Sequence, residues 1–156
     1  LMDLLELSAI DDEPDFKIAA RRADGDMPLS VTQKAWIAAS RRRAKGLEAN
    51  RYDETALREL ASTLAKRLTS AHKFKDLPES MAAVGVRLVY VESFPGSRMT
   101  GATFLLDDDP SKPVIALSGR GRRLDIVLFT LLHEIAHLVN GDVHPGEVLI
   151  DDDETY

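Results

Sequence analysis

The chain contains no cysteine at all, which rules out a disulfide scaffold and any thiolate zinc site. A metal ion would have to be held by His, Asp, Glu or water. It also has no apolar run near the roughly 20 residues that a bilayer span needs, and no basic-then-apolar signal pattern at its start. A cytoplasmic location is the default expectation, although a cysteine-free chain would tolerate any compartment. Internal repeats and low-complexity tracts are missing too. What is present, 44% hydrophobic and 29% charged residues in 156, reads as one soluble globular domain able to bury a real core.

The net charge of −6 is unevenly distributed. Residues 30–75 carry eleven Lys and Arg against four Asp and Glu, whereas residues 76–156 carry six against fourteen. The basic stretch includes Arg41-Arg42-Arg43, Arg58, Lys66, Arg67, Lys73 and Lys75. Such a stripe can follow nucleic-acid phosphates. On helices with an apolar side it reads first as a solvated outer face.

Residues 1–29 read as a linker or surface arm, turn-rich around Asp11-Asp12-Glu13-Pro14 and Asp24-Gly25-Asp26. The apolar start and the acidic stop inside Asp151-Asp152-Asp153-Glu154 suggest a piece, or the ordered part, of a longer protein. Ser30-Val31-Thr32-Gln33 has the capping-box pattern and opens a helix to about Ala44, with Trp36, Ile37 and Ala39 on its apolar face. Asp53 caps a second helix, where Leu57, Leu60, Leu64 and Leu68 recur at helical spacing. Pro78 suits the first turn of a short third helix, stopped at Gly85.

The character then changes to strands at 86–91, 102–106 and 114–117, rich in β-branched and aromatic residues. The short turn between the last two favours an antiparallel pair. A final helix runs from about Leu124 to Val139, ended by Asn140-Gly141. It is apolar nearly all round and is expected to be buried. The expected architecture is therefore α+β: N-terminal helices, a small, mainly antiparallel sheet of about three strands, and a buried helix within a single domain over 30–156.

That last helix carries His133-Glu134-Ile135-Ala136-His137. Side chains four apart share a helix face, so both imidazoles can reach one metal ion, with Glu134 beside it as general base. From this chain's composition the pattern would arise by chance roughly 0.005 times per chain, and burying two His and a Glu is costly unless they are paired or metal-bound. Zinc is the default for such ligands, though other divalent ions fit. A third ligand is needed. No His lies six residues on; His144 reads as a surface-loop residue and His72 has no partner in sequence. The remaining candidates are Glu147, Asp151, Asp152, Asp153 and Glu154. Arg120, Arg122 and Arg123 form a positive loop that could assist an oxyanion or simply be a solvated turn.

The run Phe129-Thr130-Leu131-Leu132-His133-Glu134-Ile135-Ala136-His137-Leu138 resembles the ImmA/IrrE family of metallo-endopeptidases. The likeness extends to Gly85-Val86, Gly101-Ala102-Thr103, Pro113 to Leu117, Glu147 and Ile150-Asp151, over about residues 52–156. It implies a zincin-like fold in which His133 and His137 bind zinc, Glu154 matches the third ligand on a following helix, and Glu134 is the catalytic base. It further implies a transcriptional repressor as protein substrate. The segment 30–75 is similar to the region that joins a helix-turn-helix to such a peptidase in antitoxin-like regulators. DNA would then be contacted only through a domain outside this chain. The alternative is a non-catalytic metal- or partner-sensing regulatory domain.

Overall fold

The structure, a computed structural model, describes residues 19–22, 29–119 and 123–152. Four helices and five strands follow in the order β1 (Ala19–Arg22), α1 (Val31–Lys45), α2 (Glu54–Arg67), α3 (Leu77–Ala83), β2 (Arg87–Tyr90), β3 (Met99–Leu105), β4 (Pro113–Leu117), α4 (Leu124–Val139) and β5 (Glu147–Asp152). The expected helix starts are realised by the expected chemistry. Ser30 accepts from the Gln33 amide while the Gln33 side chain accepts from the Ser30 amide, a complete capping box. Asp53 accepts from the Ala56 amide in the same manner. Among the described residues, no helix is long and apolar enough to cross a membrane.

The strands form a single sheet in the order β1-β5-β3-β4-β2. β3 is antiparallel to both neighbours, β4 and β5, but the outer pairings β2–β4 and β1–β5 are parallel. The sheet is thus larger than three strands and evenly mixed, not mainly antiparallel. The cause is topological: β4 inserts between β2 and β3, and β5 returns beside β3 after α4. β1 lies within the segment read as an arm, and it joins the sheet edge by backbone pairing to β5.

Alternating side chains divide the sheet between two cores. On one face Val89, Ala102, Phe104, Val114, Ala116, Val148 and Ile150 pack with Trp36 and Ile37 of α1. On the other, Leu88, Ile115 and Leu117 pack with Leu57 and Leu64 of α2, Met81 of α3, and Leu131, Ile135 and Leu138 of α4. Trp36 is fully buried, and its indole N–H donates to the Val91 carbonyl at 2.8 Å, so its polar atom is satisfied where its bulk fills the core.

α4 is less enclosed than its composition suggests. Leu131, Glu134, Ile135 and Leu138 are buried, but Phe129 is 71% exposed. Only one side of the helix lies against the sheet. The basic residues Arg42, Arg43, Arg58, Lys66, Arg67, Lys73 and Lys75 are exposed. Arg58 also pairs with Glu54 at 2.9 Å and donates to the Val139 carbonyl at the end of α4. This is the solvated face that the charge pattern suggested.

Candidate metal centre

Helical spacing stacks His133 and His137 one turn apart on α4, with their Nε2 atoms 3.1 Å from each other. The third member comes from across the sheet. In β5, Val148 and Ile150 face α1, so Leu149 and Asp151 face α4. Asp151 Oδ2 lies 3.1 Å from His133 Nε2 and 3.7 Å from His137 Nε2. One ligand atom from each of the three residues falls within 4.8 Å of the others.

These separations fit a metal ion. Bonds of about 2.0–2.2 Å in a tetrahedron put ligand atoms roughly 3.3–3.6 Å apart, close to the triangle observed here. The donor set is chemically apt as well: two imidazoles and a carboxylate, converging with their acceptor atoms. No fixed N–H or O–H donor among the described residues reaches the buried Asp151 Oδ2, which meets His133 Nε2 at 3.1 Å, and two imidazole lone pairs facing one another repel unless a proton or cation lies between them. His133, His137 and Asp151 could therefore hold a metal ion.

Glu134 points to the sheet instead of outward. It is fully buried and sits over β3, where Thr103 donates a hydrogen bond to its Oε2. It approaches β3 at Gly101, the residue paired with Asp151 in the register of β3 and β5. A Cβ at position 101 would overlap Glu134 Oε1, so a residue with no side chain is what lets the carboxyl lie there. Burial holds the Glu134 carboxyl well above the ordinary carboxylate range. The neighbouring Asp151 carboxyl adds to this, and the Thr103 hydrogen bond opposes it.

The surroundings complete the picture. The Phe129 ring stacks beside His133, with centroids 6.3 Å apart and planes at 21°. His137 Nδ1 is 3.2 Å from Asp142 Oδ2. His72 and His144 are exposed and take no part in the cluster. Glu147 begins β5 four residues before Asp151. Glu154, Asp153, Arg120 and Arg122 lie outside the described residues. Arg123 pairs with Asp125 at 2.7 Å at the start of α4.

Of the expected site residues, then, His133, Glu134 and His137 are brought together, joined by Asp151 from the acidic candidates. Nothing local in the sequence marks Thr103, Gly101 or Asp142 as site residues, and Thr103 has the pattern of a strand former. Asp142 stands five residues past His137 beside a helix-stop glycine. No protein-family model, no curated protein and no solved structure matches the chain.

Proposed function

We propose that this chain is a zinc-dependent endopeptidase domain with a zincin-like fold of the ImmA/IrrE type, acting on a transcriptional repressor in the cytoplasm. The observation that carries the reading is the convergence of His133, His137 and Asp151 at 3.1–3.7 Å beside a buried Glu134. A zinc ion held there would supply Lewis-acid polarisation and lower the pKa of water. Glu134 is the proton acceptor at Oε1, its other oxygen fixed by Thr103. Burial raises its pKa above the usual carboxylate range, which makes its ionised form a stronger proton acceptor. Asp151 is the third ligand within the described residues, and Glu154 is the further candidate that the family likeness suggests.

A second reading has its own support. Glu134 is completely covered and tied to β3, an arrangement equally suited to a site that holds a metal and signals without turnover.

The test uses zinc-loaded protein and its Glu134→Gln variant with a panel of DNA-binding repressors. The peptidase reading expects metal bound in both and cleavage only by the parent. Cleavage that survives the substitution would overturn the assignment. Zinc in both with no cleavage by either would favour the regulatory reading.

A further inference from the structure

His137 has two ring nitrogens with different surroundings. Nε2 faces the cluster, 3.1 Å from His133 Nε2 and 3.7 Å from Asp151 Oδ2. Nδ1 faces away and meets Asp142 Oδ2 at 3.2 Å. A carboxylate can only accept a hydrogen bond, so Nδ1 must carry the proton in this contact. A neutral imidazole protonated on Nδ1 has its lone pair on Nε2, and that is the atom aimed at the cluster.

The chain ending of α4 explains why Asp142 is there. Asn140 caps the helix, Gly141 takes the left-handed conformation at φ +73°, and the chain turns back on itself. The Gly141 amide donates to the Leu138 carbonyl at 3.2 Å, and the Asp142 amide donates to the His137 carbonyl at 3.0 Å. This pair of bonds is the Schellman pattern. It ties the backbone of Asp142 to His137 itself, and the Asp142 carboxylate then folds onto that residue's ring. Asn140-Gly141-Asp142 is therefore more than a helix stop: the left-handed glycine delivers a carboxylate to the outer nitrogen of a candidate ligand.

We propose that Asp142 is a positioning residue that fixes His137 as the Nδ1–H tautomer and so presents Nε2 to the metal. The inference rests on the metal-site reading above. Carboxylates in this position set ring orientation and raise ligand basicity, and their loss typically weakens metal binding roughly 10–100-fold. Asp142 touches His137 directly, whereas His133 is packed against the Phe129 ring.

Two measurements test it on the full chain. Nitrogen NMR of the labelled imidazoles, at a pH where they are neutral, reads the tautomers without metal. Competition with a chromophoric chelator reads zinc affinity. The parent is expected to show His137 as Nδ1–H. Asp142→Ala should shift it toward Nε2–H and weaken zinc binding by roughly 10–100-fold. Asp142→Asn, whose amide oxygen still accepts from Nδ1–H, should keep the tautomer and recover part of the affinity. An Nε2–H tautomer in the parent overturns the proposal even if Asp142→Ala folds poorly. Parental affinity in a folded Asp142→Ala protein overturns it as well. A parent that binds no zinc defeats the metal reading itself. The tautomer result, obtained without metal, then still decides whether Asp142 governs His137.

Discussion

Gly101 of β3 and Glu134 of α4 are in contact across the helix–sheet boundary. The absence of a side chain at 101 lets the Glu134 carboxyl lie against the strand. A Cβ there would overlap Glu134 Oε1 and come within 3.0 Å of Thr130 Cγ2. Gly101→Ala therefore has to push the carboxyl away from Thr103 or lift α4 from the sheet. Overpacking of this kind costs about 1–3 kcal/mol. The expected result in urea unfolding is a loss of that size; on the proposed peptidase reading, cleavage should also fall further than zinc content. Unchanged stability and activity would show that Glu134 does not use this seat.

The burial of Glu134 gives the metal-free protein a definite pH dependence. Its folded-state carboxyl is raised well above its ordinary value of 4.5, so the fold favours the neutral form. The stability contributed by that neutral form is fully present below about pH 4.5 and is lost as the pH rises through the raised value. Glu134→Gln is neutral throughout. Its stability relative to the parent should accordingly increase with pH. Urea midpoints of both metal-free proteins across about pH 4.5–8 check this. A difference that stays flat with pH would mean the carboxyl is not held neutral by the fold.

Thr103 opposes that effect. Its hydrogen bond favours the charged carboxylate, so Thr103→Val should raise the Glu134 pKa further and, on the proposed peptidase reading, move the acid limb of a pH–rate profile to higher pH. Removing the hydroxyl while Glu134 stays buried should also cost about 1–3 kcal/mol. Thr103→Ser keeps the donor and should restore the parental profile. A valine variant with the parental acid limb would remove Thr103 from any role in tuning the base.

On the opposite face, Trp36 anchors α1 to the sheet through full burial and its bond to the Val91 carbonyl. Trp36→Ala should destabilise the chain by about 3–5 kcal/mol, measured by circular dichroism because the chain's single tryptophan is removed. A loss below about 1 kcal/mol would contradict the packing described for this core.

What could be read from the sequence was local. Ser30 and Asp53 cap their helices because the bonds they make reach three residues along the chain. His133, Glu134 and His137 fall on one helix because their spacing is helical. Asp151 stands in the sequence only as one of several acids, since its place depends on β5 pairing with β3 so that Gly101 faces Asp151. That register is a long-range property. β5 itself was obscured because its apolar run, Val148-Leu149-Ile150, is only three residues long with acids at both ends. β1, Ala-Ala-Arg-Arg, has no strand signature and is held by backbone bonding. The exposure of Phe129 was hidden for the converse reason: an all-round apolar helix looks buried until the one-sided contact with the sheet is known.

The third ligand is where local pattern and long-range geometry lead to different residues. The proposed ImmA/IrrE-type reading points to Glu154, whereas strand register sets Asp151 Oδ2 at 3.1 Å from His133 Nε2. The two can be separated by metal binding alone. If Asp151 is a ligand, Asp151→Ala should lower zinc affinity about as much as His133→Ala does, while Glu154→Ala leaves it near the parental value. Because ligands must be deprotonated to bind, affinity in the parent should also fall as the pH is lowered. The decisive measurement is zinc affinity of the three single variants by chelator competition at one pH. Parental affinity in Asp151→Ala together with a large loss in Glu154→Ala would move the third ligand to Glu154. Asp151 would then remain as the acid whose carboxyl raises the pKa of Glu134.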